Sequence, residues 1–260
     1  MVKIFIDAGH GGSDPGSVAN DLKEKNLTLE ISKRIAALLN NYKNVQVKLS
    51  RTGDQTLSLK QRTDMANTWG ADYLLSVHIN AGGGTGFESF VYNGNYNGKE
   101  KTNQKRNIIH DEIVKAIEIR DRGKKEGNLH MVRESNMPAA LTECGFIDNV
   151  SDASLLKTSS FLDKIASGHV EGLVKVFNLE RINNSNDTQS ASNKPVGKVR
   201  ITSPDGFLNL RDKPSFKSNI IRKLQNGTEW AVFYEKNGFY NLGGEQYVSS
   251  NPNFSKFTKY

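Results

Sequence analysis

A single cysteine, Cys144, stands in the chain, so no internal disulfide can staple it. No stretch approaches the ~20 consecutive apolar residues that a membrane-spanning helix needs. The N-terminus places one lysine and a few apolar residues ahead of Asp7. It lacks the basic n-region, apolar h-region and small-residue cleavage site of a secretory signal. The expectation is a protein made in the cytoplasm that reaches any other compartment only on release. The glycine-rich stretch GHGGSDPG lacks the Lys-Ser/Thr of a phosphate loop, which argues against nucleotide binding.

What is present divides unevenly. At 260 residues the chain can hold one large domain and one small one. Its net charge is +7, and from Lys194 onward it carries 11 Lys and Arg against 5 Asp and Glu. The basic character therefore belongs to the C-terminal segment and suits a polyanionic partner. Charge alone is compatible with nucleic acid, an anionic wall polymer or a membrane surface, and equally with a face that only aids solubility.

The first sixteen residues, MVKIFIDAGHGGSDPG, organise the rest. Val2, Ile4 and Ile6 mark a buried strand. The glycines after it permit a sharp turn. A helix is expected over 24–42, where Leu27, Ile31, Ile35 and Leu38 form one apolar face. Strand 44–49, helix 57–69, strand 71–79 and strand 87–92 follow. A polar helix over 99–120, strand 139–146 and helix 161–177 complete the large domain. Strands alternating with helices predict an α/β fold, a mainly parallel sheet flanked by helices. Residues 183–193, NNSNDTQSASN, are almost wholly polar and read as a flexible linker. Short strand-like runs punctuated by Pro-Asp-Gly and Asn-Gly turns then predict a small all-β barrel. The expected division is 1–179, linker 180–196 and 197–260.

His10 and His78 each fall at or near the C-terminal end of a predicted core strand, the edge where open α/β sheets bind ligands. Glu24 opens the first helix and can face the same edge. Two imidazoles and a carboxylate suit a catalytic zinc, which lowers the pKa of bound water to roughly 7. Glu143 lies in the uncharged run LTECGF, where a carboxylate is costly to bury unpartnered. Beside the metal it can act as general base and acid; an ion pair with Arg62 or Arg133 is the alternative. Strand alternation turns Cys144 away from Glu143, as a buried thiol. His169 lies on an apolar helix stripe as a core residue. His110, on a polar helix, is expected to be solvated, and His130, in NLHMVRE, can line the cleft.

IDAGHGGSDPG, LKEKN, SRTGDQTLSLKQR, ADYLLSVHINA with GFESFVY, and NMPAALTECGFIDN occur in this order. Together they resemble the zinc-dependent N-acetylmuramoyl-L-alanine amidases of the amidase-3 class, over about residues 2–178. The resemblance implies Zn2+ held by His10, Glu24 and His78, with Glu143 catalytic. It implies hydrolysis of the amide between N-acetylmuramic acid and the L-alanine of the stem peptide. Asn80, Arg62 and Arg133, in or beside these motifs, are the expected substrate contacts. Some members carry a helix that blocks the zinc site. No insertion of that kind stands between Tyr92 and the helix at Lys99, so activity without a partner is expected. GFLNLRDKPSFKSNIIRKLQNGTEWAVFYEKNGFYNL resembles a bacterial SH3-like wall-binding domain, with Asp212-Lys213, Phe239 and Gln246-Tyr247 as departures. There Tyr234, Phe239, Tyr240 and Tyr247 serve as core or stack on a wall ligand.

The expected partners are bacterial peptidoglycan and anionic wall polymers, with no nucleic acid and no membrane insertion. The absent leader suggests a phage-type endolysin acting on the wall after release, with a bacterial autolysin as second choice. Two other functions remain open at this point: a zinc peptidase cutting within the stem peptide or cross-bridge, and a wall-binding protein without catalysis.

Overall fold

The computed structural model describes residues 1–182, 194–216 and 218–260. The polar run 183–193, expected to be a linker, lies outside the described residues. The chain divides into two compact units, Met1–Glu180 and Arg181–Tyr260.

In the first unit, β1 (Val2–Ala8) leads through the short hairpin β2 (Val18–Ala19) and β3 (Leu22–Lys23) into α1 (Glu24–Leu39). Then come β4 (Val45–Leu49), α2 (Leu59–Trp69), β5 (Tyr73–Asn80) and β6 (Phe87–Tyr92). The unit continues with α3 (Lys99–Ile117), β7 (Asp121–Gly127), α4 (His130–Arg133) and β8 (Ala139–Phe146). It ends in α5 (Val150–Leu156) and α6 (Ser159–Phe177). The six-stranded sheet has the order β4-β1-β5-β8-β6-β7. Neighbours are parallel except β6 against β8. The sheet is thus mixed and mainly parallel, as its alternating strands and helices predict. Because β6 and β7 run the other way, they begin at the edge where β1, β5 and β8 end.

Burial on both faces explains why the central strands are apolar throughout. One face packs Ile4, Ile6, Leu75, Val77 and Cys144 against Ile31 and Ile35 of α1, Ile113 of α3 and Ile165 of α6. Each such aliphatic side chain contributes roughly 1.5–3 kcal/mol on burial. The other face packs Phe5, Leu74 and Leu141 against Ala66 of α2 and Met131 of α4. Farther along that second face, His78 and Glu143 remain partly exposed. Helix α2 starts at a capping box: Ser58 Oγ accepts from Gln61 N, and Gln61 reaches back to Ser58 N. It stops at Gly70, φ 66°, a left-handed cap.

The second unit is all β. Its strands are β9 (Gly197–Ile201), β10 (Phe207–Arg211), β11 (Ile220–Gln225), β12 (Glu229–Val232) and β13 (Tyr234–Lys236), then β14 (Phe239–Asn241), β15 (Tyr247–Ser249) and β16 (Ser255–Lys259). They form two antiparallel sheets, β11-β10-β15-β14-β13 and β12-β9-β16. Val199, Ile201, Leu210, Leu224, Val248 and Phe254 make the core between them. Phe239 and Tyr247 are buried, and the Tyr247 hydroxyl bonds that of Tyr234 at 2.9 Å.

Candidate active site

The loop after β1 holds His10 in the left-handed region, φ 60°, a conformation an ordinary side chain adopts only when its surroundings impose it. Two buried arginines impose it here. Arg51 donates from Nε to Ala8 O at 3.0 Å and from Nη2 to Gly9 O at 2.9 Å. Arg62 donates to Ala8 O and His10 O, both at 2.7 Å, and pairs with buried Asp7 at 2.8 Å. Three successive carbonyls are thereby fixed. Gly9 packs so tightly on the His78 ring that a Cβ there would overlap it.

His10, Glu24 and His78 converge. Their ligand atoms all lie within 4.8 Å of one another. Glu24 Oε1 stands 3.1 Å from His10 Nε2 and 3.0 Å from His78 Nδ1. Glu24 opens α1, and its other oxygen accepts from Ser17 N at 2.9 Å. Burial lowers the His10 imidazole, but hydrogen bonds to Glu24 and Asp14 outweigh it and hold the ring at about 9. Burial likewise opposes the Glu24 charge, and both histidines together hold its carboxyl well below the usual range.

This donor set suits a divalent metal on three counts. One carboxylate and two imidazoles form a catalytic zinc type of set. Asp14 Oδ2 takes His10 Nδ1 at 2.8 Å, which turns Nε2 toward Glu24 and would fix the tautomer with a metal bound, as outer ligands do in metal sites. Glu143, across from His78 in the β5–β8 register, has a buried Oε2 without a hydrogen-bond partner. A buried carboxylate oxygen left unpaired is costly, and a bound water or substrate group can supply the missing partner. Burial pushes Glu143 up to about 7.

The structure therefore brings His10, Glu24, His78 and Glu143 to one edge of the sheet. It places the other expected residues differently. Asn80 donates from Nδ2 to Glu88 Oε1 at 2.7 Å. Arg62 is buried beneath the His10 loop. Arg133, at the end of α4, pairs with Glu134 at 2.6 Å and Asn128 at 2.7 Å. Neither arginine is paired with Glu143 among the described residues. Cys144 is fully buried on the face opposite Glu143. His169 is also fully buried, between Ile165 O at 2.8 Å and Thr142 Oγ1 at 3.0 Å. His130 rests on Thr63 Oγ1 at 3.3 Å.

His110 corrects an expectation. It is buried, not solvated, with Ser89 Oγ 2.8 Å from Nδ1 and Asp121 Oδ1 2.9 Å from Nε2. A polar helix conceals a buried stripe when the polar side chains on that stripe find partners, and here β6 and β7 supply them.

The sequence pattern of the N-acetylmuramoyl-L-alanine amidase family, Amidase_3, matches residues 4–175. The chain belongs to this family. It is 57% identical over 182 residues to N-acetylmuramoyl-L-alanine amidase CwlM of Bacillus licheniformis, covering 70% of this chain and 71% of that one. It is 39% identical over 264 residues to the endolysin of Bacillus phage SPP1, covering 95% and 97% of the two chains. The crystal structure of N-acetylmuramoyl-L-alanine amidase from Clostridium difficile 630 superposes with a TM-score of 0.65 at 37% identity, over 68% of this chain and 97% of that one. The amidase fold thus corresponds to the first unit, and the endolysin likeness extends through the second.

Sequence reasoning missed Arg51, Asp14 and Glu88. Only Asp14 left a signal, as the acidic residue four places after His10 inside the glycine loop.

Proposed function

We infer that this chain is a peptidoglycan amidase that hydrolyses the bond between N-acetylmuramic acid and the L-alanine of the stem peptide. Membership of the amidase family supports the substrate. The observation that carries the chemistry is Glu143, a partly exposed residue with one buried, unpartnered carboxylate oxygen, set in register beside His78 and the cluster of His10 and Glu24. His10, Glu24 and His78 would hold the zinc. When bound, zinc supplies Lewis-acid polarisation of the scissile carbonyl and acidifies water.

The remaining work falls to the chain itself. Glu143 accepts a proton from the attacking water as its oxygen bonds to the lactyl carbonyl carbon. It then passes that proton to the departing nitrogen as the carbon–nitrogen bond breaks. A carboxyl raised to about 7 is matched to holding a proton between these steps. Asp14 and the two buried arginines keep His10 aimed.

The second unit reads as an SH3-like wall-binding module that concentrates the amidase on its polymer. The endolysin likeness along nearly the whole chain supports a lysis role, the enzyme acting on the wall once it has been released. Among the described residues no helix is long and apolar enough to cross a membrane.

Digestion of purified walls tests the reading. New N-terminal alanine without new reducing sugar, lost with chelator and restored by zinc, is the expected result. New amino ends on other residues would mark a peptidase instead. Glu143→Ala should keep its zinc, by elemental analysis, and lose activity by about 100-fold or more.

A further inference from the structure

The row of side chains crossing the sheet at the site continues beyond Glu143. Glu88 of β6 stands opposite Glu143 in the antiparallel register, so the two share a face. Glu88 is buried and saturated: Oε1 accepts from Asn80 at 2.7 Å, while Oε2 accepts from Arg122 Nε at 2.7 Å and Lys125 Nζ at 2.5 Å. Both cations come from β7, the edge strand.

A structural ion pair needs one cation for this carboxylate, and the site holds two. Arg122 spends only Nε on Glu88. Its Nη1 and Nη2 make no hydrogen bond or ion pair among the described residues, and its side chain is 27% exposed. The guanidinium also lies over the Phe146 ring, 4.7 Å from the centroid, which fixes its plane. An arginine anchored at Nε, held flat and open along its Nη edge is preorganised to grip a carboxylate with two parallel hydrogen bonds.

We propose that Arg122, with Lys125 beside it, recognises a free carboxylate on the peptide side of the scissile amide. The proposal rests on the amidase reading, because it takes its direction from Glu143. Glu143 protonates the leaving nitrogen, so the peptide departs from that point of the row. The Glu88 strand lies about 4.8 Å farther on, and β7 the same distance again. An extended peptide advances about 3.3 Å per residue, so the carboxylate belongs to its first two or three residues. Arg122 is a specificity residue here, and Glu88 and Phe146 position it.

The test uses the zinc-loaded full chain and two soluble probes. One is an N-acetylmuramoyl tripeptide with free carboxyls; the other has every carboxyl converted to a carboxamide. The wild type should favour the free acid at least about tenfold in kcat/KM, with the difference in KM and reduced by added salt. In Arg122→Gln the preference should fall to about one, and Lys125→Gln should reduce it part of the way. Thermal unfolding of the Arg122→Gln protein checks that it is folded, and Arg122→Lys, which keeps the charge without the fork, should recover part of the preference. Equal cleavage of both probes by the wild type would overturn the proposal and leave the amidase reading standing. So would a preference that survives in Arg122→Gln. Cleavage of neither probe, with walls also left intact, would remove the amidase reading and this proposal together.

Discussion

Asp14 stands four residues after His10 and takes the imidazole nitrogen that faces away from Glu24. Outer partners of this kind typically change metal affinity 10- to 100-fold. Asp14→Ala should therefore weaken zinc binding by about that factor in competition with a chelator, while the fold is kept. An unchanged affinity would show that the glycine loop alone aims His10. His169 makes a different prediction. Burial holds its imidazole down at about 4, against the usual 6.5. Below about 6.5 the unfolded chain takes up a proton there that the folded chain refuses until about 4. Stability is thus present above 6.5 and lost as pH falls toward 4, by about 3 kcal/mol at most. Urea unfolding at about pH 7 and about pH 4.5 should show a smaller drop in His169→Gln than in the wild type. Equal drops in both proteins would place the acid sensitivity elsewhere.

At the scale of elements, α3 and α6 approach with unusual closeness. A Cβ on Gly172 would stand 2.5 Å from Ile109 Cα of α3, which is backbone and cannot swing aside. Gly172→Ala, otherwise a helix-favouring change, should destabilise the unit by about 1–3 kcal/mol through overpacking. Urea denaturation checks the sign, and a stabilised variant would show that the helices part without cost. The same elements show what could be read from sequence. Strands β1, β5 and β8 announce themselves because burial on two faces demands continuous apolar runs. Strand β7, DRGKKEG, does not: it lies at the sheet edge, and its lysines and arginine pair with acids on β6 and α3. The candidate site divides along the same line. His10, Glu24, His78 and Glu143 follow strand and helix ends that the apolar pattern marks. Arg51, Glu88 and Arg122 have roles set only by partners far along the chain or on neighbouring strands, and no local spacing reveals those.

For the whole molecule, the uneven division of charge predicts a division of labour. The first unit has its own core on both faces of its sheet, and the Clostridium difficile amidase structure matches this part with 97% of its own length. Residues Met1–Glu180 should therefore fold alone, and on a small soluble muramoyl peptide they should match the full chain within about twofold. Insoluble walls are another substrate. There the basic second unit, Arg181–Tyr260, with its 12 cations against 6 anions, is expected to hold the enzyme on the wall between catalytic encounters. The truncated form should clear walls at least about tenfold more slowly at limiting enzyme. Salt separates the two origins of that loss. Attraction between exposed charges is largely screened beyond about 8 Å at physiological ionic strength and beyond about 3 Å at 1 M. If the tether is electrostatic, added salt should bring the full chain down toward the truncated form and leave the latter nearly unchanged. If a shaped contact holds the wall, the advantage of the full chain should survive salt. Equal clearing of walls by the two forms in low salt would show that the second unit has no part in holding the wall.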